Sequence, residues 1–198
     1  MKMILPLLFL LAQVGTTPTA HEAVERLRAK TPVETVATPS LAELAGRYTT
    51  TSKELGKRVG PFLAGDDLYL FPDGTYIYCE WADIEPVTVH DMGTWSVEEG
   101  LVKLKSGPEV SWDPGEYRWY DRRYVAVRRN SRNNEVLLVG IEYALPYFEK
   151  KAGNDPAFML LVNAKKRETT INRAEAKPLK MRLLKESWRP DYFQKSSQ

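Results

Sequence analysis

Three short runs of turn chemistry constrain this chain more than any other feature: Pro72-Asp73-Gly74, Glu98-Glu99-Gly100 and Asn130 to Asn134. Each joins two short apolar or alternating segments. Leu68 to Phe71 and Thr75 to Trp81 flank the first, Gly93 to Val97 and Leu101 to Lys105 the second, Tyr124 to Arg129 and Glu135 to Val139 the third. Proline presets one turn dihedral and glycine supplies a positive φ, so a Pro-Asp-Gly run between such segments predicts a hairpin. Strands at this spacing, joined this tightly, predict a mainly β fold: an antiparallel up-and-down meander forming a barrel or half-barrel.

Other segments fill in the meander. Gly46 to Ser52 (GRYTTTS) is rich in residues that suit a pleated, half-buried surface. Ala157 to Val162 reads as a strand, and further strands are expected near Glu168 to Asn172 and Leu179 to Leu184. An N-terminal helix is expected over His21 to Lys30, with Ala23, Val24 and Leu27 at helical spacing. Leu41 to Leu44 makes a turn of helix into the first strand. One further short helix is expected near 142–152, with Leu145 and Phe148 on one face, Gly153 as its cap and Pro146 keeping it short.

Met1-Lys2 followed by the apolar run Met3 to Ala12 matches the charged and apolar regions of a secretory signal. Ten apolar residues are too few for a membrane span, which needs about 20. The expected organisation is therefore a signal peptide over 1–20, a short helix and linker over 21–40, one β domain over 41–193 and a flexible tail over 194–198. Localisation is expected to be extracytoplasmic, in a periplasm or secreted, with no transmembrane span once the signal is removed. Cys79 is the single cysteine, which rules out an intramolecular disulfide and suits a small buried hydrophobe. Charge is uneven. Residues 33–114 carry 6 Lys and Arg against 14 Asp and Glu, and residues 115–198 carry 18 against 10. Either the folded domain has a dipole or meets something anionic, or the two sets interleave across a sheet; interleaving is the favoured reading.

Catalytic motifs are absent. There is no nucleophile elbow, phosphate-binding glycine loop or dinucleotide fingerprint. Only His21 and His90 occur, and His90-Asp91, just before the Gly93 strand, reads as a loop pair. Asp83, Glu85, His90 and Asp91 fit no zinc or calcium spacing and read as solvated loop charges. No catalytic residue, metal ligand or cofactor is assigned. A hydrolase with an unrecognised carboxylate pair ranks third among the functional readings.

The strands around the first turn are apolar on both faces: Leu68, Tyr69, Leu70 and Phe71, then Tyr76, Ile77, Tyr78 and Cys79. Alternation puts one face inside and leaves the other to be covered, by the 142–152 helix, the N-terminal segment, a partner or a ligand. Tyr69, Phe71, Tyr76, Tyr78 and Trp95 are the candidate pocket or core aromatics. Trp112 to Arg132 interleaves aromatic residues, Tyr124 among them, with arginines. Arg118, Trp119, Arg122, Arg123 and Arg128 are the candidates for docking an acidic protein or glycan. Nucleic acid is not expected for an exported chain of near-neutral charge.

The order Leu44-Ala45-Gly46-Arg47-Tyr48, Leu68-x-Leu70-x-x-Asp73-Gly74-x-Tyr76, Gly93-Thr94-Trp95-Ser96-Val97 and Gly100-x-Val102-x-Leu104 resembles the small extracytoplasmic lipocalin-like (calycin-type) β-barrel domains of bacteria. The resemblance covers the first half of the chain only. It implies an up-and-down barrel or half-barrel with an apolar pocket in its mouth, and it implies no reaction. The leading reading is thus an exported, non-enzymatic barrel that binds a small apolar or amphipathic ligand. The second is an interaction module that docks an acidic partner through the arginine-rich segment.

Overall fold

The Pro-Asp-Gly turn forms as its chemistry requires. Gly74 takes φ +79°, Asp73 Oδ1 accepts from the Thr75 amide at 3.1 Å and its hydroxyl at 2.6 Å, and Phe71 and Thr75 close the ladder. Glu99 and Gly100 both sit at positive φ, the two-residue turn whose twist matches paired strands. The computed structural model of the protein describes residues 18–30, 33–35, 39–50, 63–108, 110, 121–129, 135–142, 145 and 164–189.

Nine strands are described: β1 Val33–Thr35, β2 Gly46–Thr49, β3 Ala64–Leu70, β4 Thr75–Ala82, β5 Glu85–Glu98, β6 Leu101–Ser106, β7 Arg123–Arg129, β8 Glu135–Gly140 and β9 Ala164–Thr170. All pair antiparallel in one sheet. β2 to β9 form a closed ring of eight, sealed by β9 pairing both β2 and β8 and by β8 pairing β7. β1 lies along β7 beyond the end of β6, with Val33 opposite Arg129. Among the described residues three helices of defined extent accompany the ring: α1 Ala20–Lys30, α2 Leu41–Leu44 and α3 Arg173–Glu186. Ser40 and Glu43 cap α2 reciprocally, each side chain accepting the other's amide. No helix among the described residues is long and apolar enough to cross a membrane.

Alternation sorts the core into three. The barrel interior holds Tyr48, Leu68, Leu70, Tyr76, Tyr78, Trp95, Val102, Leu104, Tyr124, Ala126, Val136 and Leu138, with Leu44 of α2 against them. The intervening residues of β7 and β8, Val125, Val127, Leu137 and Val139, face outward and are covered by Ala23 and Leu27 of α1. The intervening residues of β3 and β4, Tyr69, Phe71, Ile77 and Cys79, face outward and are covered by α3 through Ala176, Leu179, Leu183 and Leu184. The doubly apolar strands are therefore covered within the chain, as expected, but by a helix that was not foreseen.

That helix corrects the expectation of a strand at Leu179 to Leu184. Asn172 caps it, accepting the Glu175 amide at 3.0 Å, and Ala176, Leu179 and Leu183 fall on one face. Pro178 lies within the helix and hides the pattern. After the helix, Trp188 is stitched to β5 by two backbone bonds of 2.9 Å, to Val87 and Val89. A second correction concerns β5, which begins at Glu85, so His90 and Asp91 lie within a strand. Of the expected 142–152 helix, Leu145 is helical and buried; the remainder past Glu142, and the expected strand over 157–162, lie outside the described residues.

Candidate functional site

The two ends of the barrel differ. At one end the strands turn tightly, at 71–74 and 99–100, and α2 packs beside Gly74. At the other end the longer links leave: 50–63, 107–122 and 141–163, with the Asp83-Ile84 turn between them. At this second end, the mouth, the inward-facing positions cease to be apolar.

Two polar clusters stand there. In the first, the Asp66 carboxylate pairs with Lys165 and accepts from Thr50. The Tyr78 hydroxyl lies 3.1 Å from Asp66 and 3.3 Å from Glu80, and donates its one proton between them. Lys165 is 5 % exposed and stands 5.4 Å above the Tyr78 ring, so its charge meets both a carboxylate and an aromatic face. Glu80 also holds His90 Nε2 at 3.2 Å. Burial works against the Asp66 charge, but Lys165 and the hydroxyls of Thr50 and Tyr78 outweigh it and hold the carboxyl below its ordinary range.

In the second cluster Asp91, fully buried, accepts from the Tyr76 hydroxyl at 2.7 Å, the Ser106 hydroxyl at 2.9 Å and the Met92 amide at 2.8 Å. Arg122 donates to Ser106 at 3.1 Å and stands 3.9 Å from Asp91. Asp121 lies on the inward side of Gly140, where any side chain at 140 would strike its carboxylate, and accepts the Glu142 amide at 2.8 Å. Glycine at 140 is thus a condition for placing this acid in the mouth.

Tyr124 stands in the same interior, opposite Gly140 on β8. Its side chain is 1 % exposed and, among the described residues, its hydroxyl has no hydrogen-bond partner. Burial, then the charges of Asp121 and Asp66, raise its pKa well above the ordinary phenol value, so the hydroxyl keeps its proton. Burial likewise raises Tyr76 and Tyr78, with Asp91 and Asp66 respectively adding to it.

The aromatics singled out in the sequence divide by strand parity. Tyr76, Tyr78 and Trp95 come together inside the barrel. Trp95 Nε1 donates to the Phe71 carbonyl at 2.9 Å, tying it to the tight-turn end. Tyr69 and Phe71 lie on the outer face beneath α3. Of the arginine-rich segment, Arg118 and Trp119 lie outside the described residues. Arg122 turns to Ser106 and Asp91, Arg123 pairs with Glu142 at 2.7 Å, and Arg128 is half-buried in β7. Asp66, Asp121 and Lys165 were not anticipated, and Asp91 was read as a loop charge. The available signal was parity, since Asp66 precedes the inward Leu68 by two residues.

The architecture defines the class: a closed, eight-stranded antiparallel β-barrel consistent with a lipocalin-like fold. No protein-family model matches the chain, and no curated protein or solved structure does so either.

Proposed function

We propose that this chain is an exported, non-enzymatic binding module that holds a small amphipathic ligand at the mouth of its barrel. The ligand's polar group meets the Tyr124 hydroxyl, and its apolar part rests toward Leu68, Leu104 and Leu138. The Tyr124 hydroxyl carries this reading. Buried polar groups in folded proteins are nearly always hydrogen-bonded, and leaving one unmet costs about 1–3 kcal/mol. An unmet hydroxyl among groups that are otherwise hydrogen-bonded is a position for a partner from outside the chain. The amphipathic character follows from the interior itself, apolar toward the tight turns and polar at the mouth. Export rests on the Lys2 charge and the apolar run Met3 to Ala12.

The test is mass spectrometry of mature protein purified gently from its host, under native and then denaturing conditions. The expected result is an added mass that denaturation releases and that Tyr124→Phe lacks. That variant should unfold at the wild-type temperature or slightly above, because it deletes a hydroxyl with no partner. A bare wild-type mass would overturn the reading.

A further inference from the structure

Resting on that reading, we propose that the ligand presents a carbonyl-class oxygen to Tyr124, as the acceptor of a hydrogen bond. Among the described residues four tyrosines have their side chains inside the barrel, Tyr48, Tyr76, Tyr78 and Tyr124. Three of them donate to an oxygen of the chain. Tyr48 donates to the Leu44 carbonyl at 2.7 Å, Tyr76 to the Asp91 carboxylate at 2.7 Å, and Tyr78 stands 3.1 Å from the Asp66 carboxylate. In each case the acceptor is a carbonyl or carboxylate oxygen. Tyr124 is the fourth, 1 % exposed, and among the described residues its hydroxyl donates to nothing.

A phenol has one proton to give and lone pairs with which to accept. Orphaned donors are rarer in folded chains than under-satisfied acceptors, so the proton is the part of this group that calls for a partner. Burial first, then Asp121 and Asp66, raises the Tyr124 pKa and keeps that proton in place at neutral pH. The mouth carboxylates direct their bonds elsewhere: Asp66 to Lys165, Thr50 and Tyr78, Asp91 to Tyr76, Ser106 and the Met92 amide, Asp121 to the Glu142 amide. A donor-only group such as an ammonium would bond the phenol oxygen and leave the proton unmet. A carbonyl oxygen meets it, as the chain's own oxygens meet the other three tyrosines. A neutral carbonyl and a carboxylate share this chemistry.

Calorimetric titration of the intact protein with 4-phenylbutan-2-one, 4-phenylbutanoate and protonated 4-phenylbutan-2-amine compares two acceptors with a donor on nearly constant frames. The ketone or the carboxylate is expected to bind about tenfold tighter than the amine, and whichever does so shows whether the oxygen is neutral or charged. Tyr124→Phe should weaken that probe about tenfold, the worth of one hydrogen bond, and leave the amine unchanged. Amine binding as tight as that of both acceptors would overturn the inference, and so would acceptor binding unchanged in Tyr124→Phe; either result leaves the native mass to decide the binding reading. If none of the three binds, a compound released from the native protein and missing from Tyr124→Phe decides. A carbonyl or carboxylate oxygen in it upholds the inference, and the lack of one overturns it. A bare native mass together with three silent probes would overturn both.

Discussion

Asp66 and Asp67 are neighbours on β3, and they face opposite ways. Asp66 points into the barrel, where Lys165, Thr50 and Tyr78 converge on its carboxylate. Asp67 points outward, where Arg47 holds Oδ2 at 3.0 Å, Tyr69 donates to it at 3.4 Å and Oδ1 is buried with no hydrogen-bond partner among the described residues. Burial raises both, but only the inner acid receives enough in return: Asp66 stays below its ordinary range and Asp67 rises above its own. Two identical side chains, one residue apart, thus take opposite shifts. Strand parity decides which company each keeps, and the inner face is organised around charge while the outer face is organised around burial.

The largest effect should come from the outer face. Phe71 stacks on Tyr69 at 6.4 Å and lies beneath Lys180 of α3 at 4.9 Å. Phe71→Ala should cost about 3–5 kcal/mol in chemical denaturation. Amides of α3 should lose protection in hydrogen exchange while those of β7 and β8 keep theirs. Uniform loss across both would break the distinction between the faces.

On the inner face, Asp66→Asn leaves Lys165 buried without its counter-charge and should cost about 3 kcal/mol at neutral pH. The pH dependence sharpens the contrast. Asp66 is depressed in the fold, so its contribution is present above the unfolded value near 3.9 and is lost as pH falls through the lower folded value. Asp67 is raised, so its contribution is present below about 3.9 and is lost as pH rises through the higher folded value. Asp67→Asn should accordingly change stability by less than about 1 kcal/mol at neutral pH. Equal losses from the two asparagine variants in urea titrations at pH 7 would refute the parity argument.

A smaller effect, felt by both faces alike, is expected at the turn that joins them. A Cβ at Gly74 would meet nothing closer than 3.6 Å, so Gly74→Val should cost about 1–2 kcal/mol through its positive φ alone. Unchanged thermal unfolding would show that this turn is not what sets the β3–β4 register.

The hairpins were legible because their information is local: Pro72-Asp73-Gly74 and Glu99-Gly100 carry their own dihedrals. The short helix at Leu41 to Leu44 was legible for the same reason. The α3 helix was harder, since Pro178 interrupts a face that Asn172 and Glu175 had announced. The mouth was scarcely legible. Asp66 and Lys165 are brought together by the pairing of β2 with both β3 and β9, and no local pattern in either segment refers to the other. Charge offered a hint that was read at too coarse a scale. Lys165–Asp66, Arg122–Asp91 and Lys180–Asp73 each join the basic half of the chain to the acidic half, so the imbalance along the sequence is resolved by the fold. Arg122, expected to face a partner, turns inward for that reason.

Closure of the ring also fixes an order of events. β9 is the strand that both β2 and β8 await, and Gly46 pairs with Thr170 near the far end of the barrel sequence. Local hairpins can form early, but the last seam spans nearly the whole domain, and such non-local pairing is slow. Until it forms, β2 and β8 each present an open edge, a template for pairing with other chains. For a chain that emerges from its first residues onward, the vulnerable interval ends only when the segment from Ala164 has arrived. A truncation before Ala164 would therefore be expected to aggregate rather than persist as a smaller barrel.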